Sequence, residues 1–474
     1  MEDWLNKVTY GNLSEYHLDI LKRKCLADDV IPILDKTIVI IGGGLSGLVS
    51  ANICSHLGID TVLLEKSNLL GGGNKSQKDS QGNIFDYGYH ALDENRSLVA
   101  TKFFKKVLKN EFYRLKLSRG IVINNSLFPY NEKFSKWPKE FQDNFKISNL
   151  DDDIKNNLNR KNISKIYGKK FTDFAFDKIA KSYPTIKWSI ENGGKEEDFI
   201  GFVYPWFFPR KNKKTPRDSE WDYFHDKKRM SLDHYVLYPK NNGFQGFIDA
   251  IAQDIEMKYC KIKKNVKNLE FNTDSRTNNI LSIKANNELI TGDLFFWCSS
   301  PISLAKILKI KSSVTTSGIP QTIIFGNFVF EKNISSNFHE ILVGGLDHQI
   351  NRISFPGKIM KKKNNLIQVE YSFPNNLFEF KKNSWKQSWL KSLHSLGLVK
   401  KDNLLKNFNF ISETRGFVSK YDLPFLTNTL KNKIMRSIGN NIVIPGFNLG
   451  PENINRVIPE VILNTIKSVN TLDG

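Results

Sequence analysis

Thr37-Ile38-Val39-Ile40-Ile41 runs directly into Gly42-Gly43-Gly44-Leu45-Ser46-Gly47. Five consecutive β-branched residues predict a strand buried on both faces. Gly42, Gly44 and Gly47 then supply a GxGxxG pattern, in which the first glycine makes the tight turn, the second admits a pyrophosphate and the third lets helix pack on strand. Leu45 and Ser46 open a helix whose free N–H groups and partial positive charge favour an anion. Leu48, Ala51, Ile53 and Leu57 recur at helical spacing, and Gly58 stops the helix. Asp60 to Leu64 form a second strand that Glu65 ends, 18 residues beyond Gly47. A carboxylate there is placed to accept ribose hydroxyls and to repel a 2′-phosphate. Alone the glycine pattern is weak, and a purely structural turn is its plain alternative. Between a strand and a helix, with an acid at the right distance, it predicts a dinucleotide site.

Outward from this unit the chain changes character. Residues 97–235 are dense in aromatics and charges, with helical stretches between loops. Phe247, Ile248, Ile251 and Ile255 form a helical face after Gly243 and Gly246, and short strands follow as far as Trp297. Residues 317–420 carry runs rich in Ile, Phe and Val, such as Thr322–Phe330 and Leu366–Phe373. A last strand, turn and helix occupy the final fifty or so residues. The expected division is a helical extension at 1–36, nucleotide-lobe segments at 37–96, 236–302 and 421–474, a helical and aromatic lid or substrate region at 97–235, and a substrate sheet at 303–420.

A second glycine cluster, Gly71-Gly72-Gly73-Asn74, follows Glu65-Lys66 closely. With the first motif it resembles the FAD-dependent superfamily of amine oxidases, protoporphyrinogen oxidase and phytoene desaturases, with features similar to UDP-galactopyranose mutase. Phe85-Asp86-Tyr87-Gly88-Tyr89-His90 looks like the segment that approaches the flavin ring, and Lys264-Asn265-Val266 like a strand whose backbone touches adenine. Gly446 with Asn455-Arg456-Val457 resembles the C-terminal turn and helix that close over the flavin. The resemblance implies an α/β fold with a Rossmann-like, GR2-type FAD-binding domain and an inserted α+β substrate domain. It also implies FAD as cofactor, held by Gly42, Gly44, Leu45, Ser46, Gly47, Glu65, Lys66, Gly71, Gly72, Gly73, Asn74, Tyr87, Gly88, Tyr89, His90, Val266, Gly446, Asn455, Arg456 and Val457. The chain departs from many amine oxidases in placing Gly73 where they have arginine, and no cysteine stands near the C-terminal motif to attach a flavin covalently.

The activity implied is an FAD-dependent oxidoreductase that passes hydride from a bulky or anionic substrate to the flavin. A non-redox mutase acting on a nucleotide sugar and a flavin-bearing binding protein without turnover are the alternatives. His90 resembles a residue near the flavin, but equally a histidine bonded to backbone beside it. Arg352, in Ile350–Phe355, resembles a mutase arginine that faces flavin and substrate phosphate, and a guanidinium fork suits such a group; an ion pair on the sheet is the alternative. Tyr371 with Glu370, Arg415 and Tyr421 fall where related enzymes line the cleft.

Lys and Arg number 69 against 49 Asp and Glu, a net charge of +20. That surplus favours anionic contacts, although a solvated lysine-rich surface explains it as well. No zinc knuckle, helix-turn-helix or RNP-type pattern accompanies it, so nucleic acid is not expected. The basic, aromatic stretch 204–230 suggests a peripheral contact with anionic membrane. Four cysteines without paired spacing argue against disulfides and metal, and fit a reducing cytoplasm.

Overall fold

The computed structural model describes residues 35–94, 98–123, 126–129, 160–161, 164, 169, 173, 235–310, 318–343, 348–374, 382–419, 428–445, 454–469 and 472. Its central element is a five-stranded, wholly parallel sheet. From edge to edge the strands are Cys260–Lys263, Asp60–Leu64, Thr37–Ile41, Leu294–Trp297 and Ile442–Val443. Thr37–Ile41 lies in the middle because every side chain from Ile38 to Ile41 is apolar and can be buried. Ile38 and Ile40 point to one face, Val39 and Ile41 to the other, as pleating requires.

Four helices cover the first face: Leu45–His56, Leu98–Leu108, Gln245–Glu256 and Ile454–Val469. The other face carries an antiparallel three-stranded sheet, Leu269–Thr273, Ile280–Ala285 and Glu288–Thr291, whose Ile283 and Ile290 meet Val39, Phe295 and Trp297. The α/β architecture is the one expected. Helix Leu98–Leu108 belongs by packing to this lobe, since Phe104 stacks on Phe244 and Phe247.

The second lobe is a seven-stranded sheet in the order Leu405–Ser419, Gly318–Phe330, Leu366–Pro374, Arg352–Ser354, Glu340–Val343, Arg119–Ile123, Ser126–Pro129. All pairs are antiparallel except Glu340–Val343 with Arg119–Ile123. One face is apolar and receives helix Lys382–Ser395 through Trp385 and Trp389. That helix was not anticipated, because its composition is mostly polar and only two tryptophans and two leucines anchor it. The opposite face, toward the nucleotide lobe, mixes polar residues such as Glu370, Gln368 and Asn327 with Phe325, Val329 and Leu366, the last two packing into that lobe's core. Among the described residues no helix is long and apolar enough to cross a membrane.

Gly326 sits where the sheet meets the Trp389 ring, and a Cβ there would overlap the indole. Gly326→Ala is expected to cost about 1–3 kcal/mol through overpacking, read as a lowered urea midpoint. An unchanged midpoint would show that the tryptophan helix does not dock here.

Candidate functional site

Two glycine loops meet at the N-terminus of helix Leu45–His56. Gly42 takes a positive φ of 111°, and its amide donates to the Leu64 carbonyl at 2.8 Å. A Cβ on Gly47 would collide with the Gly42 carbonyl, so the helix can pack on the turn only with glycine there. Gly71, with φ 109°, donates its amide to the Gly43 carbonyl at 2.8 Å and pairs with Gly44 as an isolated parallel bridge. Gly72 follows with φ 55° and opens a single tight turn through Asn74, whose amide bonds the Gly71 carbonyl. A Cβ on Gly44 would meet only the Gly72 Cα, at 3.9 Å. The first turn of the helix has no acidic residue and no side-chain cap. Its N–H groups and partial charge are left for an external anion.

Glu65 follows the second strand, buried beneath the first loop. One carboxylate oxygen accepts the Gly43 amide at 2.6 Å, and the other accepts the Ser67 amide and hydroxyl at 2.8 and 2.7 Å. Lys66 beside it is exposed. Val266 is close by, but its segment is not the strand expected: Cys260–Lys263 ends before it and Asn265 takes a φ of 61°. The Val266 amide is committed to the Glu65 carbonyl at 3.0 Å, so it is not available to an adenine ring.

From the second loop the chain leads to Tyr87, Gly88, Tyr89 and His90. Nε2 of His90 lies 2.9 Å from the Gly73 carbonyl and 3.1 Å from the Tyr87 carbonyl. Both are acceptors, so Nε2 carries a proton and donates to both. The imidazole thus fastens the glycine loop to the tyrosine turn, which is the backbone-bonded alternative of the two sequence readings. Gly88 abuts the polar face of the second lobe: a Cβ on it would lie 3.4 Å from Glu370 and 3.6 Å from Arg352.

Arg352 donates through Nε and Nη2 to one oxygen of Glu370, at 3.0 and 2.5 Å, and Nη1 stands 3.7 Å from Glu340. Glu340, 1% exposed, is ion-paired with Arg119 on the neighbouring strand. Two arginines and two glutamates therefore alternate across four adjacent strands and neutralise one another. The phenol of Tyr89 is buried with them, and burial holds its pKa well above the usual range.

Tyr371 is a correction. Side chains alternate along Leu366–Pro374, so the residue after Glu370 points away from the cleft. Its ring lies 4.8 Å from that of Trp385, and burial pushes its hydroxyl up to about 12. Tyr421 and Gly446 lie outside the described residues, as do the side chains of Arg415, Asn455 and Arg456. Val457 packs on the helical layer. The basic stretch 204–230 also falls outside. Sequence reasoning missed Arg119, Glu340, Asp86 and Gln368. Of these only Asp86 had a signal, a carboxylate inside a glycine-flanked aromatic segment.

Residues 40–107 match the NAD(P)-binding Rossmann-like domain family. Their strand, glycine turn and helix are the parts that would seat a dinucleotide. The chain shares the fold of UDP-galactopyranose mutase. The reduced mutase aligns with a TM-score of 0.62 at 13% identity, covering 92% of this chain and 96% of the mutase. A candidate protoporphyrinogen oxidase from Exiguobacterium sp. 255-15 aligns at 0.59 and 12% identity, covering 93% and 99%. The fatty acid isomerase from P. acnes that produces CLA aligns at 0.51 and 12% identity, covering 92% and 98%. No curated protein matches in sequence. The mutase fold thus extends across both lobes of this chain.

Glu340 is almost sealed and Glu370 partly open, so their removal separates buried from rim electrostatics. Glu340→Ala is expected to cost about 3–5 kcal/mol by stranding Arg119, more than Glu370→Ala. Equal denaturant midpoints for the two variants would contradict this assignment.

Proposed function

We propose that the chain is an FAD-dependent oxidoreductase acting on a bulky organic substrate. The observation that carries this is the Gly43–Gly71 junction, which sets two glycine loops together at an uncapped helix N-terminus beside a buried glutamate. The residues fit the cofactor. Gly44 leaves open the space a pyrophosphate needs, the helix amides face it, and Glu65 is the acceptor for ribose hydroxyls. The second loop and the Tyr87–His90 turn continue from that point toward the polar sheet, the course a flavin ring would follow. When bound, a flavin supplies two-electron redox chemistry that no side chain here can provide.

The chain's own residues would then do three things. The glycine loops and helix amides would bind the pyrophosphate. His90 would hold the loop carbonyl of Gly73 in place. Gly88, lacking a side chain, would let the cofactor turn lie directly on Glu370 and Arg352, whose opposed charges would orient a polar substrate group.

The mutase reading draws on the shared fold with UDP-galactopyranose mutase and on Arg352. The Arg352 guanidinium, however, is already engaged by Glu370 and Glu340, so a substrate phosphate would have to displace a carboxylate. That cost favours a substrate without a strong anionic group at this point, and narrows the earlier expectation of an anionic or bulky substrate to the bulky one. A UDP-sugar incubated with protein and dithionite tests the alternative: ring-contracted product would establish the mutase reading.

The purified protein is expected to be yellow, with the two absorption bands of oxidised flavin, and to release FAD on heating. Gly44→Val is expected to be colourless yet folded, because its branched side chain would enter the pyrophosphate position. A wild-type protein that neither carries nor takes up FAD would overturn the proposal. A yellow valine variant would show that the cofactor lies elsewhere.

A further inference from the structure

Three donors converge on one carboxylate under the second glycine loop. Asp86 accepts the Ser76 hydroxyl at 2.6 Å and the Phe244 amide at 3.0 Å on one oxygen, and the Tyr238 hydroxyl at 2.8 Å on the other. These donors come from three separate segments: the strand leaving the glycine loop, the N-terminal end of helix Gln245–Glu256, and the strand returning to the nucleotide lobe. The Asp86 carbonyl accepts a fourth, the Gln368 side chain of the substrate sheet, at 2.7 Å. Both lobes are therefore tied to one residue.

The network continues to the loop itself. Ser76 accepts the Gln245 amide at 2.9 Å, and the Gln245 side chain donates to the Leu70 carbonyl at 3.4 Å, immediately before Gly71. Gly243 is open only because it lacks a side chain: a Cβ would lie 2.7 Å from Asp86 and 2.8 Å from Ser76. Among the described residues no cation pairs with Asp86. Burial pushes its carboxyl up to about 6 against the pull of the three hydrogen bonds.

We propose that Asp86 is a positioning residue through which acid loosens the second glycine loop and, with it, the flavin; this rests on the flavin reading above. Ionised, the carboxylate satisfies all three donors. Once protonated, it carries a hydrogen of its own into a space where every neighbour already donates. The proton settles on the oxygen that holds one donor and not two, and there it confronts the Tyr238 hydroxyl. Burial and the adjacent carboxylate raise the pKa of that phenol well above the ordinary value, so Tyr238 stays neutral and its hydroxyl must turn to accept the new hydrogen. The other oxygen, now part of a neutral carboxyl, is a weaker acceptor for Ser76 and Phe244, and the chain from Ser76 through Gln245 to Leu70 slackens.

The signs follow by linkage. The folded value lies above that of the unfolded chain, so the stabilisation it brings is complete below the unfolded pKa and is lost as pH rises through about 6. Flavin binding runs the other way. It selects the tightened loop, hence the ionised carboxylate, and strengthens across the same window. Other titratable or charged groups around the node are Tyr89 and His90 on its own segment, Lys75 beside Ser76, Asp249 bonded to Gln245, and the Arg352–Glu370 pair under Gly88. An imidazole titrates in the same range, so His90 needs its own control.

The test is fluorescence titration of flavin-stripped full-length protein with FAD, from neutral pH down to pH about 5. The wild type is expected to bind about fivefold or more weakly at the acid end, the scale that one linked proton allows. Asp86→Asn keeps the size and the acceptor for Ser76 and Phe244, and is expected to bind equally at both ends. Should that variant fail to fold, Tyr238→Phe removes one donor and is expected to move the step to higher pH. His90→Asn is expected to retain the step. Wild-type binding that is flat or stronger in acid, a step that survives in Asp86→Asn, or one that vanishes with His90 overturns the inference. Failure to bind FAD at neutral pH overturns the flavin reading as well, which flat binding does not.

Discussion

The Gly71 amide bonds the Gly43 carbonyl at 2.8 Å, and most of the site hangs from that contact. It joins a loop fixed by the central strand to a loop held locally only by its own tight turn and by His90. On one side the geometry is dictated by steric necessity, since Gly42 and Gly71 take positive φ and Gly47 lies against the Gly42 carbonyl. On the other it is dictated by groups that arrive from far along the chain, the Gln245 side chain and the Phe244 amide among them, 175 and 158 residues from their acceptors. An uncapped helix end would gain little from binding a flexible anion in water. Enclosed by a second loop, the same amides become a defined cradle.

The two faces of the seven-stranded sheet divide the labour. One buries Trp389, Phe328, Ile353 and Val369 and gives the lobe its stability. The other carries Arg119, Glu340, Arg352, Glu370, Gln368 and Asn327, joined to each other and to Asp86. Charges so enclosed are costly unless paired, and each of these arginines has a carboxylate partner. The pairing holds the floor of the cleft in one arrangement while keeping its net charge near zero.

The nucleotide lobe was legible because its signals are local. A β-branched strand, three glycines at fixed spacing, a helical face and an acid follow in about thirty residues, each with its own steric reason. The substrate side was legible only as strands. Glu340 meets Arg119 across 221 residues, and no period in either segment announces the other. Tyr371 was misplaced for a related reason. Alternation shows that it and Glu370 face opposite ways, but which of them meets the cleft depends on helix Lys382–Ser395, whose two tryptophans claim the tyrosine's face. At Val266 the backbone amide is engaged by the Glu65 carbonyl, a long-range contact that no local pattern announces.

The central sheet takes its strands from three widely separated stretches, near residues 40 and 60, 260 and 295, and finally 442. Its edge strand Ile442–Val443 and the covering helix Ile454–Val469, which reaches Ser50 through Thr465, are synthesised some four hundred residues after the glycine turn. During translation the glycine turn therefore emerges well before the helix Ile454–Val469 that completes the cover over its apolar face. Contacts of such long sequence separation form slowly. The interval exposes Leu48, Ala51 and their neighbours to mispairing, the situation in which a nascent chain depends on chaperones.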